Sequence, residues 1–271
     1  MPNSIKSCYG KEARKEWNRL AKDTFHRLEF DTTMHFLERY LPRKGIILDA
    51  GCGPGRYSIE LTKRGYDVVL LDITPEMLDF AKQEVKKART SQRVKGVVEG
   101  SILDLADFQD GEFEAVLCLG SVLGHIKGAG RRANAMCELR RVAKKGAPIF
   151  VSVVGKVAVL KAMQLYWQGE IMATRNFKRI VETGDDHHWH TGFYCHFFML
   201  DELQKIFENA GIKVLASAGL EGISIRGEHG INKHSGNAKI MDNWMWAHGK
   251  LCTDPTVAGG SEHILIVGRK V

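Results

Sequence analysis

A glycine-rich turn is the feature of this chain with the clearest chemical meaning. The apolar residues 46–48 run into Asp49, after which Gly51, Gly53 and Gly55 alternate with other residues. An apolar run that breaks at clustered glycines is typical of a buried strand that enters a tight turn and then a helix. Because glycine has no side chain, backbone N–H groups and the helix N-terminus can approach a ligand closely there. The pattern therefore predicts a ligand-binding turn.

The spacing of the glycines separates two classes of ligand. In the dinucleotide fingerprint the third glycine follows the second after two residues, whereas here Gly55 follows Gly53 after one and Arg56 stands where Gly or Ala is expected. A carboxylate at Asp49 would repel a pyrophosphate but suits an ammonium group. The turn therefore favours a ligand with a positive group over a pyridine dinucleotide.

A second acidic residue, Asp72, ends the next apolar run, residues 68–71, one helix length after the glycine turn. A carboxylate at the carboxyl end of a strand can accept both hydroxyls of a ribose, and each such charge-assisted hydrogen bond contributes about 1.5–3 kcal/mol. Asp49 and Asp72 together predict a nucleoside that carries a cationic group.

Residues 48–55 and 72–78 resemble motif I and the following acidic strand end of class I S-adenosylmethionine (SAM)-dependent methyltransferases, with the closest likeness to the broad UbiE-like group. The resemblance implies SAM as cofactor and S-adenosylhomocysteine as product. It also implies cofactor contacts at twelve positions, namely Asp49, Gly51, Cys52, Gly53, Gly55, Asp72, Ile73, Met77, Ser101, Ile102, Leu119 and Gly120.

Two of these positions leave alternatives open. Ser101 stands where many relatives have Asp, and its hydroxyl is a weaker acceptor for the adenine amine than a carboxylate; Asp104 could substitute, or could cap a helix. Ile73 could pack on the adenine face, or could be an ordinary core residue.

His125 is the first candidate for a general base, because imidazole titrates near neutral pH and the resemblance places residues 119–125 beside the donor methyl. The alternative is a loop histidine that bonds backbone. Tyr9, in an N-terminal flap, is the second catalytic candidate. The chain has no Asn-Pro-Pro-Tyr sequence, and Cys118 follows Leu117 rather than a proline. Methylation of nucleic-acid bases by those two routes is therefore disfavoured.

Strand and helix patterns alternate along the chain. One or two amphipathic helices are predicted over 11–41, and the later helices begin at Arg56, at Pro75 behind the N-cap Thr74, at Arg131 and at a capping box formed by Asp201 and Gln204. Gly65 and Gly146 are predicted to end two of them. Strands are predicted over 45–49, 67–72, 94–99, 113–119, 147–154, 212–217 and 263–268.

This alternation predicts an α/β fold with a doubly wound, Rossmann-like sheet and helices on both faces. In such sheets the ligand lies beyond the carboxyl ends of the strands, where Asp49 and Asp72 are placed. The resemblance implies seven strands that are mostly parallel, with the last one antiparallel.

The 271 residues are enough for one domain. Residues 1–44 are predicted to form an N-terminal helical cap, and 155–196 and 219–261 are two inserts, rich in Trp and His, that are predicted to form a substrate lid. The run His187, His188, Trp189 and His190, with Cys195 or His196, fits no standard metal spacing, so no metal is predicted.

The chain carries a formal charge of +7 from 39 basic and 32 acidic side chains. Because many of the cations fall at predicted helix ends, as in 86–89 and 140–145, nucleic acid is the less favoured partner. The six cysteines form no CxxC pair and are predicted to be reduced packing residues. No membrane span or signal segment is predicted, and a cytoplasmic location is expected.

These features predict an enzyme that transfers the SAM methyl in line to an O, N or C atom of a small-molecule acceptor. The alternatives are an RNA or protein methyltransferase and a non-catalytic SAM-binding regulatory protein. Neither the acceptor nor the oligomeric state follows from the sequence.

Overall fold

Seven strands form the central sheet of the computed structural model, which describes residues 9–10, 12–187 and 192–271. They are β1 (Ile46–Ala50), β2 (Asp67–Asp72), β3 (Val94–Glu99), β4 (Ala115–Cys118), β5 (Pro148–Val154), β8 (Ile212–Gly219) and β9 (His263–Lys270). Their order is β3-β2-β1-β4-β5-β9-β8. The first five are parallel, and β9 is antiparallel to β5 and β8. The predicted fold is confirmed.

Twelve helices in the described residues surround the sheet. They are α1 (Ala13–Arg19), α2 (Thr24–Tyr40), α3 (Arg56–Lys63), α4 (Pro75–Lys87), α5 (Ala129–Val142), α6 (Lys156–Tyr166), α7 (Gln168–Met172), α8 (Thr174–Thr183), α9 (Leu200–Asn209), α10 (Glu228–Lys233), α11 (Ala238–Leu251) and α12 (Pro255–Gly260). Two short strands, β6 (Asp185–Asp186) and β7 (Cys195–His196), pair with each other in the first insert.

Local signals set the boundaries nearest to the glycine turn. Pro75 opens α4 behind Thr74, and Gly65 takes a left-handed φ of +92° after α3, as predicted. At α2, the Asp23 side chain accepts a hydrogen bond from the His26 N–H at 2.9 Å. Of the one or two N-terminal helices predicted over 11–41, the structure has two, α1 and α2.

Three elements have bounds that differ from the predicted ones. Helix α5 begins two residues earlier than predicted and ends at Val142, because Ala143 is extended and bridges to Phe113; Gly146 therefore does not end it. Helix α9 has Met199 as its N-cap, so Asp201 lies in the first turn and bonds Lys205 instead of forming a capping box. Strand β4 covers 115–118, shorter than the predicted 113–119.

Apolar residues cover both faces of the sheet. In β1, Leu48 and Ala50 belong to one buried cluster and Ile47 to another on the opposite face. All four residues of β4 are buried. Because both faces are filled, the ligand-accessible part of the sheet is its edge of carboxyl strand ends.

The two inserts are folded segments with polar contacts inside them. His196 is buried, and its Nδ1 and Nε2 each lie 2.7 Å from a carboxylate oxygen, of Asp185 and of Glu202. His248 is also buried and bonds the Thr32 hydroxyl at 2.9 Å. His188, Trp189 and His190 of the predicted histidine group lie outside the described residues. No described helix has both the length and the apolar character needed to cross a membrane.

The five described cysteines are unpaired. Cys118, Cys195 and Cys252 are buried as predicted, whereas Cys137 is exposed, so the packing prediction is wrong for that residue. Burial raises the pKa of the Cys118 thiol to about 12, which rules it out as a thiolate nucleophile near neutral pH. Cys8 lies outside the described residues.

Candidate active site

A cavity of about 330 Å³, here called the first cavity, lies at the carboxyl ends of β1, β2, β3 and β4. Both catalytic candidates, Tyr9 and His125, line it, together with all of the predicted cofactor positions except Gly55. Gly55 is the N-cap of α3, where an added Cβ would lie 3.0 Å from the Ala81 Cβ of α4. Its direct contact with a cofactor stays a prediction.

Hydrogen bonds fix the glycine turn to the neighbouring strand β2. The N–H groups of Gly51 and Cys52 donate to the Leu71 carbonyl at 2.7 and 3.0 Å, and the Gly53 N–H donates to Asp72 Oδ2 at 2.9 Å. Asp72 therefore joins the two segments that the sequence had indicated separately. The turn is held in one conformation before a ligand arrives.

Replacement of Gly51 by alanine is expected to cost more stability than the same change at Gly53. Both glycines have positive φ, which costs an L-residue about 1–2 kcal/mol. At Gly51 the new Cβ would also overlap the Val122 side chain, whereas at Gly53 it would meet no atom within 4 Å. Overpacking adds about 1–3 kcal/mol. Denaturant unfolding of both variants would measure the difference, and equal losses would contradict the packing argument.

The two acidic residues of the site are buried carboxylates. Asp49 is 2% exposed and accepts the Ser58 hydroxyl at 2.6 Å; burial raises its pKa to about 6. Burial also raises the pKa of Asp72, although this carboxylate accepts the N–H groups of Thr74 and Gly53 at 2.8 and 2.9 Å. Within the described residues neither forms a salt bridge. A cationic ligand would supply the missing charge, so the cavity fits the predicted nucleoside.

The three residues considered for contact with the adenine, Ile73, Ser101 and Asp104, follow β2 and β3 in the chain. The Ser101 hydroxyl accepts the Leu103 N–H at 3.2 Å and lines the cavity. Asp104 accepts the Ala106 N–H at 3.1 Å and does not line the first cavity; its substitute role at the adenine stays a prediction. Ile73 is 38% exposed at the cavity wall and is not a core residue.

His125 ends a 3₁₀ turn, Val122–His125, directly after β4. Its Nε2 lies 3.2 Å from the Tyr9 hydroxyl, and its Nδ1 lies 3.4 Å from the Tyr194 carbonyl. Because a carbonyl can only accept, the proton of the neutral ring is assigned to Nδ1, and Nε2 accepts from Tyr9. Burial lowers the pKa of His125 and raises that of Tyr9. The pair therefore combines a neutral base with a protonated hydroxyl.

A second cavity of about 250 Å³ adjoins the first. Tyr9, Glu16, Arg19, Gly120 and His125 line both cavities. Its other walls come largely from parts of the chain outside the common sheet and helices. Among them are Phe193 and Cys195 of the first insert, Phe197 directly after that insert, and Glu221 of the second insert.

Sequence reasoning missed Glu16 and Arg19 of α1. Arg19 donates to Glu16 Oε1 at 2.7 Å and forms a two-point ion pair with Glu29 of α2. Mixed charge on an amphipathic helix predicts a solvated face, and nothing in the local spacing shows that this face turns towards a cavity. Lys127 and Arg131 also line the first cavity and were missed for a similar reason.

Among the described residues, Glu29, Glu221 and His263 form a group whose ligand atoms lie within 4.8 Å of one another. Their charges are already compensated: Arg19 lowers the pKa of Glu29 to about 2, and the two carboxylates raise the pKa of His263 to about 9. His263 Nδ1 lies 2.7 Å from Glu221 Oε1. A protonated imidazole has no free lone pair for a metal, and the prediction of no metal site stays a prediction.

The comparison with known families agrees with this geometry. A family model described as a methyltransferase domain matches residues 47–146, which span β1 to the end of α5 and carry the glycine turn, Asp72 and His125. This match identifies residues 47–146 as a SAM-dependent methyltransferase domain. The resemblance to this family and to its UbiE-like group is thereby confirmed, and SAM is its cofactor.

Several methyltransferases are similar to larger parts of the chain. Magnesium-protoporphyrin O-methyltransferase of Rhodobacter capsulatus is 32% identical over 48% of the chain, and the match covers 53% of that relative. Ubiquinone biosynthesis O-methyltransferase of Methylococcus capsulatus is 26% identical over 79% of the chain and 82% of that relative. A SAM-dependent methyltransferase structure from Methanosarcina mazei, 20% identical, has a TM-score of 0.61 over 87% of this chain and 97% of that one.

In this methyltransferase, replacement of Asp49 by asparagine is expected to raise stability and weaken SAM binding. The folded pKa of about 6 lies above the ordinary value of 3.8, so the ionised carboxylate destabilises the empty protein by about 3 kcal/mol above pH 6. Asparagine removes that cost, but it also removes a charge-assisted bond to the cofactor ammonium, which corresponds to about 10–100-fold in affinity. Thermal unfolding and calorimetry at pH 7 measure the two effects.

The pH dependence provides a control for Asp49. The wild-type empty protein should gain stability from this group as the pH falls from about 6 to 4, and the Asp49→Asn variant should lack that gain. A variant less stable than the wild type at pH 7 would contradict the burial argument.

Proposed function

We propose that this chain transfers the methyl group of SAM to an O, N or C atom of a small-molecule acceptor that lies in the second cavity. The observation that supports this most strongly is the junction of the two cavities, where Tyr9, Gly120 and His125 line both. A group in the second cavity could reach the first one without crossing bulk solvent. The cavity of about 250 Å³ suits a small molecule better than a polymer.

The chain's residues are assigned the following roles in this proposal. Asp72 accepts the ribose hydroxyls, Asp49 faces the ammonium group, and the glycine turn gives the cofactor access to backbone. SAM itself supplies an electrophilic methyl bound to a sulfonium that leaves readily. The protein mainly aligns the partners, which can contribute about 7–11 kcal/mol, so a strong base is not a requirement.

Removal of a proton from the acceptor is assigned to Tyr9 and His125. The Tyr9 hydroxyl takes the proton that the methyl acceptor loses, and at the same time it donates its own proton to His125 Nε2. The two groups are hydrogen-bonded at 3.2 Å. The Tyr194 carbonyl holds the opposite ring nitrogen at 3.4 Å and so fixes the orientation of the imidazole.

We also propose that 1–44 acts as a helical cap and that the two inserts, 155–196 and 219–261, act as a substrate lid. In support, Glu16 and Arg19 of α1 and its C-cap residue Leu20 line the first cavity. Phe193 and Cys195 of the first insert line the second cavity. A covered site would exclude water from the reacting groups.

Incubation with radiolabelled SAM and fractionated cell extract tests the proposal. Label in the metabolite fraction supports it, whereas label in RNA or protein alone would support the less favoured polymer acceptors. SAM binding with no transfer to any fraction would indicate a regulatory SAM-binding protein. The Asp72→Ala variant, which should not bind SAM, provides the background.

A further inference from the structure

The second cavity has an apolar part made of aromatic rings. Phe25, Phe193 and Phe197 line it and are buried, with exposed fractions of 4, 8 and 1%. The Tyr9 and Phe193 ring centroids lie 5.8 Å apart. Such a wall favours a ligand with a flat or compact apolar body and, through the ring faces, a cation.

The charged part of the same cavity has an excess of carboxylates. Glu16, Glu29, Glu221 and Glu262 line it, against two cations, Arg19 and His263. His26 also lines it, and its ring Nδ1 lies 2.7 Å from Asp23 Oδ1. With His263 protonated near neutral pH because of its raised pKa, the cavity keeps an excess of negative charge.

Glu262, which precedes β9, contributes to this excess of negative charge. Its backbone carbonyl accepts the Gly155 N–H at 2.8 Å, so the residue is fixed in place. Its carboxylate has no hydrogen bond or ion pair with any residue that the structure describes, unlike Glu16, Glu29 and Glu221. Burial and the neighbouring Glu221 raise its pKa. A cation from outside would remove this unfavourable state.

From this arrangement, and on the basis of the proposed function, we infer that the acceptor carries a protonated amine on an apolar body, with Glu262 as its anchor and the aromatic rings around that body. The anchor is distinct from the atom that receives the methyl group. In this proposal, that atom lies beside Tyr9 and His125, which also line the first cavity.

A divalent metal is a weaker explanation of the same carboxylates. Two of the ligands that it would need, Glu29 and Glu221, already neutralise Arg19 and His263, and His263 would have to lose its proton. An ammonium group needs only the one carboxylate that has no partner, and its size and hydrogen-bond donors suit an oxygen ligand of this kind.

Calorimetric titration of the full-length protein, loaded with S-adenosylhomocysteine at pH 7.5, provides the test. The probes are benzylammonium, benzyl alcohol and benzoate, which share a ring and differ in charge. We expect benzylammonium to bind about 10-fold or more tightly than benzyl alcohol, and benzoate to bind weakest. Glu262→Gln should abolish that preference while leaving the affinity for S-adenosylhomocysteine unchanged. Glu182→Gln, an exposed change on α8, should retain it.

Equal affinities of the ammonium and the alcohol, tighter binding of benzoate, or an ammonium preference that survives in Glu262→Gln would each overturn the inference. So would failure of benzylammonium to bind at any soluble concentration, or its displacement by Mg²⁺ at low concentration. Label that enters neutral metabolites, with no ammonium preference, refutes this inference alone. Label that enters RNA or protein without metabolites refutes the proposed function instead.

Discussion

Replacement of Asp72 by asparagine is expected to weaken SAM binding about 100-fold or more. The wild-type carboxylate has two oxygens that each hold a backbone N–H, of Thr74 and Gly53, and each retains a lone pair for a ribose hydroxyl. Two charge-assisted bonds contribute about 3–6 kcal/mol in all. An asparagine NH₂ would also face a backbone N–H, so the amide would disturb either the glycine turn or the start of α4.

Asp67→Asn is the matched control, because Asp67 stands at the opposite end of the same strand. It forms exposed ion pairs with Arg93 and Lys95 at 3.1 and 3.5 Å, far from the carboxyl ends of the strands. Such pairs contribute about 0–1 kcal/mol. Calorimetry with SAM should therefore give wild-type affinity for Asp67→Asn. Wild-type affinity in Asp72→Asn as well would remove Asp72 from the cofactor site.

The part of the fold around the cofactor could be predicted because its signals are local. Strand β2, helix α4 and strand β3 have the bounds that the sequence predicts, since each apolar run is bracketed by a cap, a proline or a glycine within a few residues. Asp49 and Asp72 follow from the same logic, because parallel strands bring their carboxyl ends to one edge.

The wrong boundaries have tertiary causes. The pattern of residues 131–145 is helical throughout, but Ala143 pairs with Phe113 across 30 residues, and that contact ends α5. At Asp201 the sequence has the spacing of a capping box, but the N-cap of α9 is Met199, two residues earlier. Neither the bridging partner nor the direction of entry is encoded in a short window.

The second cavity could not be predicted for a similar reason. Glu29 lies on α2, Glu221 on the second insert and His263 on β9, so the contacts of His263 with Glu221 and Glu29 span 42 and 234 residues. The predicted histidine crowding pointed to the right segments, but His196 and His248 are buried in structural contacts instead. The groups that define the cavity are carboxylates, which in a sequence look like ordinary surface charge.

His125→Gln is expected to lower kcat for the acceptor found in the extract assay by about 10²–10⁴-fold, with little change in SAM affinity. Glutamine can keep a donor near the Tyr194 carbonyl, but it has no lone pair of comparable basicity to take a proton from Tyr9. Tyr9→Phe should lower kcat by the same order, because in the proposed mechanism the proton reaches His125 Nε2 only through the Tyr9 hydroxyl. His35→Gln, an exposed change on α2, is the control.

The pH profile separates this chemical role from a structural one. Burial lowers the pKa of His125 below its ordinary 6.5, so the unprotonated base persists into mildly acidic solution. In the wild type, kcat/KM should fall only below about pH 6.5, as the ring gains a proton and can no longer accept one. His125→Gln should have a lower kcat/KM, and its kcat/KM should no longer show this fall at acidic pH. A variant that keeps wild-type kcat, or that loses rate with the limb intact, would show that His125 only supports the fold around the second cavity.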